Sequence, residues 1–258
     1  MRYAWAMLLS KPFPATVRTR DGIPLHAQTW PLPPGAGARG VAIIVHGLGE
    51  HIGRYAHVAS YLNELGWHVV GCDHRGHGRS PGPRGVLQHN DDLLYDLATV
   101  LDTARAAWPS LPQMLVGHSL GGAVAARFAA ALATPAEPVA WSRPLDALVL
   151  SSPALSIPIS FIQRVLLGTV GILTPDVAVS IGLKPTWLSH DPVVVAAYQA
   201  DPLVHDRVTG RITRFMMRAG ATALAKAPNW TVPTHLTWGG QRSEEHTSEL
   251  QSRLHLVC

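Results

Sequence analysis

Ser119 lies in Gly117-His118-Ser119-Leu120-Gly121, after the apolar run Met114-Leu115-Val116 and before the Ala-rich stretch that opens at Gly122-Ala123. A serine hydroxyl is a weak nucleophile until the backbone exposes it beside a base and charge-stabilising donors. The pattern predicts a strand that ends, a sharp reversal at Ser119, and a helix that begins there. This is the layout of a nucleophile elbow. Gly117 and Gly121 flank the serine because so tight a turn leaves no room for Cβ atoms near the helix and the neighbouring strand. Gly122 extends the same stretch of small residues. The helix N-terminus behind Ser119 favours negative charge, which suits the oxyanion of an acyl transfer.

A second loop belongs to the same chemistry. His46-Gly47-Leu48 follows the continuous apolar run Val41–Val45. Folds that present a serine at such an elbow take a second oxyanion donor from this position. The N–H groups of Leu48 and Leu120 are therefore expected to face a substrate carbonyl, each worth about 3 kcal/mol in the transition state. The side chain of His46 is read as a buried turn histidine that shapes the loop. His118, beside Ser119 on the turn, should point its ring away from the hydroxyl. Asp73-His74-Arg75-Gly76-His77-Gly78-Arg79-Ser80 reads as a structural loop whose glycines suit a crowded turn.

The elements that must position these residues alternate. Thr16–Arg20 and Leu25–Trp30 flank Asp21-Gly22 as a hairpin. Val41–Val45 reads as a strand buried on both faces. A helix over about Gly53–Leu65 places Tyr55, Val58, Ala59, Leu62 and Leu65 on one face, with Gly66 to end it. Trp67–Cys72 is the next strand, and Asn90 is expected to cap a second helix with Asp91 and Asp92 in its first turn. Leu120–Ala133 is the helix of the elbow, stopped by Pro135, and Leu145–Ser151 is a further strand. The alternation implies an α/β fold: a mostly parallel sheet with helices on both faces.

The rhythm breaks after Pro153. Residues 154–225 contain no evident strand and read as a helical lid insertion. Phe161–Leu173 is apolar nearly all round, Asp191-Pro192 starts a short helix, and Arg211–Ala225 is amphipathic. Residues 1–153 form the core, 226–241 return to it through the strand Val232–Trp238, and 242–258 stand apart.

With 258 residues, 47% hydrophobic and 15% charged, the chain is a well-buried globular protein with room for one domain and an insertion. Its net charge of +4 is carried on scattered arginines, so nucleic acid is a poor fit as a partner. A basic surface permits peripheral contact with an anionic membrane. Cys72 and Cys258 support neither a disulfide framework nor a metal site. Met1–Ser10 has too short an apolar stretch for a signal peptide, and no run reaches transmembrane length. A cytoplasmic location follows, with membrane contact at most peripheral.

Taken together, these motifs resemble an α/β-hydrolase of the monoacylglycerol lipase and lysophospholipase branch, similar to the serine aminopeptidase-type hydrolases. The resemblance rests on His46-Gly47-Leu48-Gly49-Glu50-His51 with Gly53-Arg54-Tyr55, on Asp73–Ser80, and on Gly117–Gly122. Leu188-Ser189 with Asp191, and Tyr198 with Asp201-Pro202-Leu203, extend it into the insertion. It implies Ser119 as nucleophile, an acyl ester or lipid as the small-molecule substrate, an acyl-enzyme, an apolar acyl tunnel under the lid, and no cofactor or metal. A peptidase, a thioesterase or a non-catalytic binding protein of the same fold are the alternatives.

The family carries its triad acid just after the strand that here ends Trp238-Gly239-Gly240, and its histidine one strand later. Arg242–Cys258 instead resembles the in-frame translation of a sequencing-library adaptor. On this reading the triad acid and histidine are absent, the last strand and helices are missing, and the chain as it stands is inactive. His246 and His255 have no context that would set either beside Ser119.

Overall fold

The structure, a computed structural model, describes residues 12–134, 138–156, 176–182, 189 and 191–238. The helix expected over Phe161–Leu173, together with Pro135, Leu188, Gly239-Gly240 and 242–258, lies outside the described residues.

In chain order the elements are β1 (Thr16–Arg18), β2 (Pro24–Trp30), β3 (Gly40–Val45), α1 (Ala56–Glu64), β4 (Trp67–Cys72), α2 (Asp92–Ala107), β5 (Gln113–His118), α3 (Leu120–Leu132) and β6 (Ala147–Ser151). A short 3-10 turn, Ile52–Tyr55, leads into α1. Then come β7 (Ala178–Ser180), α4 (Pro192–Ala200), β8 (Arg207–Thr209), α5 (Gly210–Lys226) and β9 (Thr234–Thr237). Seven strands form one sheet in the order β1-β2-β4-β3-β5-β6-β9. The pairs from β4 to β9 are all parallel, and β1 and β2 join as an antiparallel hairpin.

The run Val41–Val45 is central and buried on both faces. Val41, Ile43 and Val45 enter the core under α2, α3 and α5, while Ala42 and Ile44 pack on the other face with Ile52 and Ala59. Burying each large aliphatic completely stabilises the sheet by about 1.5–3 kcal/mol. α3 is buried on almost every side, because it is pressed between the sheet and α5. Its alanines allow that close approach.

Three expectations change. First, Asn90 does not cap α2. The helix begins at Asp92, whose carboxylate instead accepts the N–H groups of Gln88 (2.9 Å) and His89 (2.8 Å). Asp92 is turned inward because Arg75 Nη1 lies 3.2 Å from it. Second, the insertion does contain strands: β7 and β8 pair antiparallel as a separate two-stranded sheet. Third, Leu65 is 42% exposed, because α1 ends at Glu64 and the chain turns away before it. At the other helices the local signals match the structure. Asp191 accepts the N–H of Val193 at 2.8 Å, with Pro192 in the first turn of α4. α5 buries Ile212, Phe215, Met216 and Ala219.

Candidate active site

The chain passes from β3 outward to β4, then returns across the sheet to β5 on the other side of β3. Such a reversal opens a crevice at the carboxyl ends of the two central strands. Val45 is in register with Gly117, so the two loops leave the sheet side by side. A Cβ on Gly47 would stand 3.3 Å from Cβ of Ser119. The sheet's topology therefore brings together the two loops that the sequence marked for chemistry.

Ser119 is the N-cap of α3 with φ 50° and ψ −115°. A positive φ on a residue with a Cβ costs on the order of 1–3 kcal/mol, and it persists only where the surroundings enforce it. Here they do. The Ser119 N–H donates to Ser151 O (3.1 Å), and its carbonyl accepts from Ala123 N–H (3.0 Å) and Ala154 N–H (2.9 Å). Ser152, immediately after β6, has φ 41° and shares this strained junction. The three glycines clear three different neighbours. A Cβ on Gly117 would sit 2.6 Å from Gly121 O, one on Gly122 would sit 2.7 Å from Cβ of Pro153, and one on Gly121 would strike Val45 O.

The first loop is held from its side chains. Gly47 N–H donates to Glu50 Oε1 (2.6 Å), and Tyr55 Oη–H donates to the same oxygen (2.6 Å). Arg54 Nε lies 3.6 Å from the other carboxylate oxygen. Burial raises the Tyr55 phenol well above its usual range, and the Glu50 charge adds to the effect. Neither Leu48 N–H nor Leu120 N–H donates to another backbone group among the described residues. Leu48 itself packs half-buried against the core, and the Leu120 side chain is fully buried.

His46 is completely buried and takes a fixed tautomer. Its Nδ1–H donates to Gly47 O (2.8 Å), and its Nε2 accepts from His74 N–H (2.9 Å). His74 Nε2–H returns a bond to His46 O at 3.0 Å. Burial, reinforced by His74 and His77, holds His46 well below the ordinary imidazole range, so it is neutral. A buried neutral ring bonded only to backbone sets the shape of the loop. His118 Nδ1 pairs with the Ser151 hydroxyl at 3.1 Å, and its ring tilts toward Tyr55. Apart from the exposed Arg79, the 73–80 loop faces inward: Asp73 accepts the N–H groups of Ile52 (2.7 Å) and Arg79 (2.8 Å). Among the described residues no group of three His, Cys, Asp or Glu side chains is placed to hold a metal ion.

Residues 36–243 match the family described as serine aminopeptidase, S33. The chain belongs to this family. Within it the chain is an α/β-hydrolase of the monoacylglycerol lipase-like branch. It is 35% identical over 209 residues to a monoacylglycerol lipase of Mycolicibacterium smegmatis, covering 80% of this chain and 71% of that protein. It is 31% identical over 185 residues to the monoglyceride lipase of Rattus norvegicus, covering 71% of this chain and 58% of the rat protein's length. The crystal structure of Paleococcus ferrophilus monoacylglycerol lipase superposes with a TM-score of 0.73 at 31% identity, covering 90% of this chain and 85% of that one.

In this family member the first loop is also tied to the insertion, by residues that the sequence did not single out as a site. His51 Nε2 pairs with Asp201 at 2.8 Å, bridging 150 positions. Arg54 lies 4.9 Å from the Tyr198 ring centroid, and His205 N–H donates to Gly49 O at 2.8 Å. Glu50, Arg54, Tyr198 and Asp201 thus make a polar rim. The only signal for it in the sequence was family resemblance at those positions.

Proposed function

We propose that the fold serves hydrolysis of a carboxylic ester through an acyl-enzyme on Ser119. The observation that carries this reading is the strained, over-determined backbone of Ser119 at the head of α3, beside the backbone of Gly47. Ser119 Oγ attacks the ester carbon, the carbonyl oxygen becomes an oxyanion, and the N–H groups of Leu48 and Leu120 donate to it. Collapse expels the alcohol, which takes the proton lost by the serine, and water then cleaves the acyl-enzyme. No metal and no cofactor takes part.

The substrate proposed is a monoacylglycerol or a similar lysolipid. The relatives named for such esters support it, and the rim of Glu50, Arg54, Tyr198 and Asp201 suits a hydroxylated leaving alcohol. The insertion from 154 to 225 is read as the lid. Val177, Val179 and Val193 stand exposed on it, which suits contact with a lipid surface. Among the described residues no helix is long and apolar enough to cross a membrane. A cytoplasmic protein touching membranes peripherally is the proposed setting. The family description favours a second reading, a peptidase, in which an amine replaces the alcohol as leaving group.

The chain as it stands is proposed to be inactive. Proton removal from Ser119 requires a base within hydrogen-bond reach. His46, His74 and His77 are occupied by or buried against the loops they support, and His118 is bonded to Ser151. Loss of the histidine of such a triad costs about a millionfold in turnover.

A fluorophosphonate probe and p-nitrophenyl esters from acetate to palmitate test both statements. No labelling is expected in the unmodified chain. Labelling and ester turnover are expected once the family's Asp- and His-bearing C-terminal segment is fused after Trp238, and Ser119→Ala should abolish both. Labelling of Ser119 in the unmodified chain would refute inactivity. A folded fusion that releases only amines from peptide substrates would replace the esterase reading with the peptidase one.

A further inference from the structure

The segment from Asp201 to Thr209, within the insertion, lies across the 46–51 and 73–85 loops. Its backbone is close-fitted. His205 N–H donates to Gly49 O at 2.8 Å. The carbonyl of His205 fills the space that a Cβ on Gly49 would need, and the carbonyl of Arg207 does the same over Gly85. Two histidines meet at this junction. The rings of His77 and His205 are 4.6 Å apart between centroids.

Their protonation states follow from their partners. His77 Nδ1 lies 3.0 Å from Arg75 O and so carries the proton, which leaves Nε2 with a lone pair. His205 Nδ1 accepts from Arg207 N–H at 3.1 Å, so its proton is on Nε2. Both Nε2 atoms are buried with no hydrogen-bond partner among the described residues, as is Nη1 of Arg84. The closed junction thus sets one imidazole donor and one imidazole acceptor together next to a guanidinium.

We propose that residues 201–209 form a pH-sensitive latch, released from the 46–51 loop when His205 and His77 take up protons. A proton on His205 Nδ1 displaces the Arg207 N–H bond. A proton on His77 Nε2 turns the one acceptor into a second donor. Each adds positive charge beside the other and beside Arg84.

The 73–85 loop contributes His74, His77 and Arg84 to the junction, and the segment itself contributes Asp206 and Arg207. The 46–51 loop contributes His46, whose ring lies 5.6 Å from that of His77, and His51, which is paired with Asp201. Asp206 and the backbone carbonyl of Gly76 favour a charged His205. Burial and Arg84 outweigh them and lower His205 to about 4, and burial, reinforced by His74 and His205, holds His77 well below the ordinary imidazole range. Because the closed state depresses these values, it is fully favoured above the open-state range near 6.5 and loses ground as pH falls through that window toward 4. The effect on hydrolysis rests on the proposed function, because the 46–51 loop carries Leu48; the latch itself does not.

Hydrogen–deuterium exchange on the unmodified chain tests the latch without any activity. After correction for intrinsic rates, His205 alone predicts about a 20-fold loss of protection in peptides covering 201–209 between pH 7 and pH 5. Peptides from α3 should hold their protection. His205→Gln, which keeps a donor but does not titrate, should flatten the pH response, and His77→Asn should reduce it independently should the first variant fail to fold. A uniform loss across 201–209 and α3, no loss at all, or an undiminished response in the folded variants would overturn the proposal.

Discussion

Gly121→Ala adds one methyl group at the tightest contact of the elbow. Its Cβ would strike Val45 O and come within 2.5 Å of His46 O. Both are backbone atoms at the end of the most buried strand, in register with β4 and β5 on either side, so neither can give way. The helix must back off instead, and it carries the strained Ser119 with it. Overpacking of this kind costs about 1–3 kcal/mol where side chains yield, and more where only backbone is available. Against it stands a gain of about 1 kcal/mol in helix propensity for Ala over Gly. The net expectation is a loss of about 3 kcal/mol, or about 6–12 °C in Tm for a chain of this size. Gly37→Ala is the matched control. Nothing lies within 4 Å of its Cβ position and its φ is not positive, so it should gain about 0.4–1 kcal/mol through the unfolded chain. Urea unfolding followed by tryptophan fluorescence measures both. A Gly121→Ala variant within 1 kcal/mol of the parent, or a Gly37→Ala variant equally destabilised, would refute the steric argument.

Two further outcomes follow from other parts of the molecule. Arg75 is almost completely buried and reaches Asp21 (2.9 Å), Asp92 (3.2 Å) and Asp96 (2.6 Å). Arg75→Met should cost about 3–5 kcal/mol by stranding those carboxylates, and adding Asp96→Asn should recover part of it in the denaturant midpoint. Val179 and Val193 are 55% and 73% exposed. Replacing both with Glu should cut co-sedimentation with phosphatidylglycerol vesicles several-fold, with a change in stability within about 0.5 kcal/mol; unchanged binding would remove these residues from the proposed lipid contact.

Much of the framework could be read from sequence because its signals are local. The run Val41–Val45 is apolar at consecutive positions, and only a strand covered on both faces tolerates that. The elbow announces itself through glycines at fixed offsets from Ser119, each now matched to a specific neighbour. What stayed hidden depends on partners far along the chain. β7 and β8 are three residues each, too short to show alternation. Asn90 has the chemistry of a cap, but Asp92 two residues later is drawn inward by Arg75, and the helix start moves with it. Glu50 holding the N–H of Gly47, and His51 meeting Asp201, are choices made by the tertiary fold. No periodicity encodes them.

The tie between His51 and Asp201, 150 positions apart, also fixes an order of events during synthesis. Every strand that frames the elbow, through Ser151, has left the ribosome before the Asp201 side of the tie exists. At ordinary translation rates the remaining stretch of about 50 residues takes about 3–10 s. For those seconds the nascent chain can already pair β3 with β5 and strain Ser119, yet the loop bearing Leu48 is pinned only by its own side chains and by the 73–80 loop. The outer brace arrives last, so the crevice stays open-walled on the growing polypeptide and takes its final shape only as the insertion folds back over it.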